Sequence, residues 1–303
     1  MSNFILIFVF LFLGILLQNI KQFPKDIYKL INKIVIYICL PSLALFYIPK
    51  IKWSNDLLFP ISIAWIGFIV AYLLFTLLGK KFGWSKKLVG CLIITAGLGN
   101  TSFLGFPIIE ALYGQEGMKT AILVDQPGSF VVLSTLGILV ATVFSNGSSN
   151  GFHIAKKILL FPPFLTFILA CVMNFYSLDF QDYIEFILKK TGSAMTPLAM
   201  ISVGLQLQFD RKSQHWPFLA LGLLYKLVLT PLMFYLLYVV LLHQHTKIIQ
   251  VAIMESAMAP MITASILASS HGLKPKLSSM MIGFGIPISF ITLIFWYFVT
   301  QFI

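Results

Sequence analysis

Acidic residues are scarce in this chain, with 10 Asp and Glu against 21 Lys and Arg in 303 residues, and charged residues of both signs make up only 10%. An average soluble domain carries about 25% charge. The shortage excludes a soluble globular fold and, with hydrophobic residues at 59%, a disordered chain. Cysteine is also rare. Cys39, Cys91 and Cys171 each lie inside an apolar run without the close Cys/His spacing of a zinc or redox site. They are expected as small core hydrophobes, and neither metal nor cofactor is expected. No polar segment is long enough to form an extramembrane domain, which excludes a soluble enzyme on a single anchor. A positive leader is missing too, since only Met1, Ser2 and Asn3 precede the apolar stretch that starts at Phe4, so that stretch is expected to be a membrane helix.

What the chain has instead is apolar length. Mean hydropathy is +0.94, and 29 Phe are spread from end to end. A bilayer core about 30 Å thick needs about 20 apolar helical residues. Ten such runs are expected at about 4–20, 28–48, 57–79, 88–113, 120–144, 158–176, 183–207, 217–241, 249–270 and 278–302. The net charge of +11 sits in the short loops between them, with no basic domain of the kind that binds nucleic acid. Odd-numbered loops carry 14 basic residues, among them Lys80, Lys81, Lys86, Lys87, Lys156, Lys157, Arg211 and Lys212, and even-numbered loops carry six. Positive loops stay cytoplasmic, so odd loops are expected inside and both termini outside. The remaining base, Lys226, falls within span eight.

Ten spans divide into two copies of five, and an odd unit inserts its second copy upside down, as in many secondary transporters. The division expected is residues 1–150 and 151–303. Pro41 matches Pro197, Gly114 matches Gly272, and Pro127-Gly128-Ser129-Phe130 matches Pro287-Ile288-Ser289-Phe290, at separations of 156 to 160 residues. Spans four and nine are the least suited to helix. Gly97, Gly99, Gly105 and Pro107 crowd span four, each Gly costing about 1 kcal/mol and Pro about 3 in a helix interior. In span nine Pro260 removes an amide donor and frees a carbonyl. Helix breaks are therefore expected at Gly97, Gly99, Pro107 and Pro260. Open backbone at membrane depth is tolerated where protein or a watery cavity satisfies it, and broken helices offer amides to anions and carbonyls to cations. Gly and Pro that merely permit close helix packing are the competing explanation.

Leu98 to Gly114, LGNTSFLGFPIIEALYG, resembles the span-four signature of the auxin efflux carrier family, which includes plant auxin exporters and bacterial malate and malonate permeases. The resemblance extends through Asp125-Gln126 and Ala257-Met258-Ala259-Pro260. Gly99 stands where the plant carriers usually have Pro, and their long central cytoplasmic loop is missing, which favours the bacterial permeases. The resemblance implies an all-α membrane fold shared with bile acid sodium symporters, two inverted five-helix repeats with spans four and nine crossing at mid-membrane. It also implies a mobile unit carrying the crossing, a scaffold that includes spans two and seven, a homodimer, elevator-type alternating access and residence in the bacterial cytoplasmic membrane.

On that plan Asn100, Thr101 and Ser102 in span four, with Ser256, Pro260 and Thr263 in span nine, are the candidate substrate-binding residues. A side-chain amide at a broken helix donates to a carboxylate, although Asn100 also suits the freed backbone of its own turn, and the hydroxyls also suit bonding back to carbonyls. Ionisable residues inside spans are functional candidates because an isolated charge there is expensive. Glu255, Asp125 and Lys226 are the candidates for proton or ion coupling, whereas Glu110 lies near a span end and receives no transport role. Glu255-x-x-Met258 resembles the start of the sodium site of the bile acid symporters, but Ala259 and Pro260 replace the Gln and Asn of that motif. Two oxygen ligands for a hard cation are missing, which favours a proton on Glu255. A static pair of Glu255 with Lys226 stays open. The five histidines fall in or near loops. No Ser-His or paired-Asp constellation occurs at matching depth, so no enzyme activity is expected. The expected function is transport of small organic anions such as malate or malonate, with sodium-coupled symport of the bile acid type as the alternative and membrane lipid as the surrounding solvent.

Overall fold

The computed structural model describes residues 2–18, 20, 24, 26–52, 54–145, 161–207 and 214–303. Loop residues Lys21, Lys25, His153, Lys156, Lys157, Arg211 and Lys212, the start of the sixth span and the division at 150/151 lie outside them. The described residues are nearly all helical, and their one extended pairing is an isolated bridge. The helices are α1 (Ser2–Gln18), α2 (Ile27–Lys50), α3 (Asn55–Phe82), α4 (Lys86–Gly97), α5 (101–113), α6 (115–145), α7 (Pro162–Phe175), α8 (Asp182–Ser193), α9 (Met195–Gln206), α10 (Trp216–Leu241), α11 (Lys247–Ser256), α12 (Ile262–Ser270) and α13 (Pro275–Thr300). Gly114, at φ 62° and ψ −155°, separates α5 from α6. Gly272, after α12, is also left-handed at φ 66°, a conformation that glycine adopts without a Cβ penalty.

Five helical runs among the described residues are long and apolar enough to cross a membrane: Ile27–Lys50, Asn55–Phe82, Thr101–Ser145 with its break at Gly114, Trp216–Leu241 and Pro275–Thr300. Shorter apolar helices occur at Ile5–Gln18 and Pro162–Phe175. Several runs contain π-helical turns, at Val35–Cys39, Thr101–Gly105, Asp125–Phe130 and Tyr225–Leu229 among others. Proline accounts for most of this widening. Pro41, Pro107 and Pro231 follow such turns closely and Pro127 lies inside one; a proline lacks its amide and its ring collides with the carbonyl four residues earlier, so the preceding turn opens.

The chain forms two compact units. One comprises α1, α2, α7, α8, α9 and Ser102–Ile122. Within it Gly14 of α1 and Gly204 of α9 stand face to face; an added Cβ on Gly14 would meet the Ile201 carbonyl and one on Gly204 the Leu11 carbonyl. Small residues give such close backbone approach in membrane helices. Gln18 Nε2 donates to the Leu205 and Leu207 carbonyls at 3.2 and 3.1 Å, closing the end of α9. Asn174 Nδ2 donates to the carbonyls of Ile48, Pro49 and Ile51 at 2.9, 2.8 and 2.7 Å, which satisfies the end of α2.

The other unit comprises α3, α4, residues 123–145 and α10 to α13. Its core gathers Phe68, Phe75, Leu92, Ile93, Ile94, Tyr225, Met280 and Met281 with their neighbours. Buried polar groups tie its helices together. Tyr225 Oη donates to the Gly67 carbonyl at 2.7 Å, Trp65 Nε1 to the Pro127 carbonyl at 3.1 Å and Trp296 Nε1 to the Leu227 carbonyl at 2.9 Å. Tyr225 and Trp296 bury their rings, Trp65 is half-buried, and each finds a partner for its polar atom.

Candidate functional site: a helix crossing with unpartnered polar groups

Two interrupted helices of this second unit meet at their breaks. Helix α4 begins at Ser85, whose hydroxyl accepts from the Leu88 amide at 3.4 Å, and ends at Gly97 with Leu98 extended. Helix α11 begins at Thr246, whose hydroxyl accepts from the Ile249 amide at 3.4 Å, and ends at Ser256. Such hydroxyl caps satisfy the first free amides of a helix. Between the breaks Gly99 pairs antiparallel with Pro260. The Asn100 amide donates to the Ala259 carbonyl at 2.7 Å and the Met261 amide to the Leu98 carbonyl at 3.1 Å.

The bonds flank the Gly99 and Pro260 pair, so these two residues occupy a non-hydrogen-bonded position, where opposed Cα atoms approach to about 4.5 Å. An amide at that position points away from the partner strand, and proline therefore fits without breaking a ladder bond. Glycine fits because its missing Cβ would stand 2.9 Å from Lys226 Nζ and 3.2 Å from Lys226 Cε. Gly285 of α13 lets Pro260 pack closely; a Cβ there would lie 2.8 Å from Pro260 Cδ. Gly97 serves the packing of α4 on α3, since its Cβ would meet Phe68 Cδ2 at 3.0 Å and Ala71 Cβ at 3.2 Å.

Polar side chains collect around this pair. Thr101 Oγ1 donates to Asp125 Oδ1 at 2.7 Å, and Gln126 Nε2 donates to Asp125 Oδ2 at 3.0 Å. Asp125 opens the π-helical turn Asp125–Phe130. Lys226 stands in another such turn and donates from Nζ to the Ser256 carbonyl at 2.9 Å. Glu255 is fully buried, and the charges of Asp125 and Lys226 both act on it. Ser256 Oγ bonds back to the Ile253 carbonyl at 2.6 Å, the local bond typical of a serine in a helix.

Five buried side-chain polar atoms lack a hydrogen-bond partner among the described residues, and four of them are Asn100 Nδ2, Gln126 Oε1 and both carboxyl oxygens of Glu255. The fifth, Thr76 Oγ1, lies on α3. Each unmade bond of this kind costs about 1–3 kcal/mol, more for a charged group. A cluster of such atoms is a place where a polar ligand recovers energy that the fold leaves unused.

Other residues singled out from the sequence lie elsewhere. Ser102 is buried in the wide turn after Thr101, and Thr263 is on the exposed side of α12, outside the hydrogen-bonded group. Pro107 lies within the helical run; with Glu110, Ser193, Thr196 and Pro197 it lines a cavity of about 300 Å³ in the first unit. There Thr196 Oγ1 donates to Glu110 Oε2 at 3.0 Å. Gln126 enters from the sequence only through the Asp125-Gln126 resemblance and with no role of its own, although its place between Asp125 and Pro127 marks it as polar and close to a helix irregularity. Among the described residues no three His, Cys, Asp or Glu side chains gather in a way that holds a metal ion.

Comparison with known proteins bears on what this arrangement serves. The chain is similar over 294 residues, at 27% identity, to an uncharacterized transporter of Methanothermobacter thermautotrophicus, the match covering 96% of this chain and 95% of that protein. It is 36% identical over 187 residues to an uncharacterized transporter of Methanocaldococcus jannaschii, a match that spans 59% of each chain. A model of the family described as membrane transport protein matches residues 1–297. With several helices apolar enough to span a bilayer, this is a multi-pass membrane protein, and it belongs to the membrane transport protein family, that of the auxin efflux carriers.

Proposed function

We propose that the chain is a secondary transporter of small organic anions, mono- or dicarboxylates such as malate or malonate, and that the anion binds where the breaks that follow α4 and α11 cross. The observation that carries this reading is the concentration of unpartnered polar atoms on Asn100, Gln126 and Glu255. Asn100 Nδ2 supplies a donor to a carboxylate, Gln126 Oε1 accepts from a hydroxyl such as that of malate, and the free amides at the start of the resumed helices add partial positive charge. Thr101, held by Asp125, keeps the turn beside Asn100 in place.

An ionised Glu255 beside Asp125 would repel an incoming anion. Anion and proton therefore bind together, the proton on Glu255, and transport is proton-coupled. The two carboxylates and Lys226 are the coupling group. Sodium-coupled symport of the bile acid type is the rival reading.

The proposed architecture is ten spans in two inverted repeats, 1–150 and 151–303. Supporting it are the two interrupted helices, each opened by a hydroxyl cap, at Ser85 and Thr246. Gly114 and Gly272, both left-handed, lie at corresponding positions after them. Alternating access is proposed to move the unit carrying the crossing, elevator fashion, in a homodimer in the cytoplasmic membrane with both termini outside. Counterflow of labelled malate into proteoliposomes preloaded with unlabelled carboxylates tests the function whichever ion is coupled, because exchange proceeds without a net ion gradient. Saturable exchange ranked by preload supports it; folded protein that exchanges no carboxylate overturns the substrate class.

A further inference from the structure

Lys226 has a placement that anion binding alone does not require. In a continuous helix the Ser256 carbonyl would accept from the amide of residue 260, four positions on. That residue is Pro260, which has no amide hydrogen. The carbonyl is left at the end of α11, and Lys226 Nζ, arriving from the π-helical turn of α10, donates to it at 2.9 Å. Lys226 is only 3% exposed. The nearby backbone of Gly99 offers the ammonium a bed with no side chain, where a Cβ would stand 2.9 Å from Nζ. No carboxylate oxygen lies within 4.0 Å of Lys226 Nζ among the described residues, whose ion pairs are Lys29 with Asp26, Lys50 with Glu185 and Lys119 with Glu116. Its nearest partner is thus a helix-end carbonyl, the kind of group at which broken-helix transporters hold a monovalent cation.

We propose that Lys226 is the resident cation of the crossing: its ammonium occupies the place at the Ser256 carbonyl where a diffusible monovalent cation would bind, so that this chain carries its anion without sodium. The amine is covalently attached and stays with the site through the whole cycle. Glu255 remains free to exchange its proton because Lys226 is engaged by backbone instead of by the carboxylate. This deepens the transport reading and rests on it for the identity of the cargo, but the occupancy of the cation position is testable without any cargo.

The test is Lys226→Ala, which removes three carbons and the ammonium and so matches n-propylammonium in shape. Thermal melting of the purified protein in detergent is followed while n-propylammonium, methylammonium or sodium is titrated, alongside malate counterflow. Wild type is expected to ignore all three cations in both readings. Lys226→Ala is expected to lose counterflow by roughly tenfold or more, the scale of one charged hydrogen bond, to melt higher as n-propylammonium is added until the effect saturates, and to regain exchange over the same range. Lys226→Met keeps the bulk without the charge and takes the place of Lys226→Ala if that variant does not fold. It is expected to be slow in exchange, and Gly99→Ala, which displaces the ammonium in the native background, is expected to slow exchange in that background and to add nothing to Lys226→Met.

Wild-type exchange in a folded Lys226→Ala or Lys226→Met without added cation would overturn the proposal, as would melting of Lys226→Ala no more responsive to n-propylammonium than wild type. If wild type exchanges no carboxylate, the cargo assignment fails, and the n-propylammonium melting response still decides the role of Lys226.

Discussion

Asn100 divides its work between main chain and side chain. Its amide completes the bridge to Ala259, and its buried Nδ2 is left without a partner. Asn100→Ala keeps the first role and removes the second, so the fold is expected to survive while carboxylate affinity falls about tenfold, the loss of one hydrogen bond to a charged group at about 1.4 kcal/mol. Equal melting with weaker competition in counterflow would bear this out. Glu255→Gln keeps the size of the side chain and removes the exchangeable proton. It is expected to abolish accumulation driven by a pH gradient and to leave exchange partly intact; accumulation that persists would place the proton carrier on another residue. The burial of Asn100, Asp125, Lys226 and Glu255 was legible in the sequence because a polar residue inside an apolar run is conspicuous. Gln126 was less so, since an amide costs less to bury than a charge, and the partnership of Lys226 with a carbonyl instead of Glu255 depends on side-chain geometry that spacing does not encode.

Elements were legible to different degrees. Hydropathy located α2, α3, α10 and α13 to within a few residues, because a bilayer demands uninterrupted apolar length. The π-helical turns were not visible, since the cost of a proline can be met by a kink, a break or a widened turn, and the surrounding packing decides which. The same applies to span seven, where α8 and α9 meet at Ala194 between Gly192 and Pro197, two residues that a kinked but continuous helix also accommodates. Close helix contacts give expected outcomes at this scale. Gly14→Val places a branched side chain against the Ile201 carbonyl and is expected to destabilise the protein by about 1–3 kcal/mol or more, the range for overpacking, read as a lower melting temperature. Asn174→Leu removes the donor shared by three carbonyls at the end of α2 and is expected to cost about 1–3 kcal/mol. An unchanged melting temperature in either variant would mean that the helix end or the crossing relaxes without penalty.

At the scale of the whole molecule, apolar composition, family membership and the crossing point the same way. A secondary transporter, the function proposed for this chain, exposes one site to two solutions in turn, and open backbone inside a bilayer is stable only where polar groups surround it. The unit that carries the crossing meets that need with the Gly99 and Pro260 bridge, Lys226 on a freed carbonyl and Asp125 on Thr101. It leaves Asn100 Nδ2, Gln126 Oε1 and the Glu255 carboxyl oxygens unmatched. The proposed occupant of these unmatched atoms is a carboxylate. Equilibrium binding of labelled malate to purified wild type and Asn100→Ala, at equal amounts of folded protein, tests it most directly. Wild type is expected to bind saturably and the variant about tenfold more weakly; the same affinity in both proteins would rule out this site.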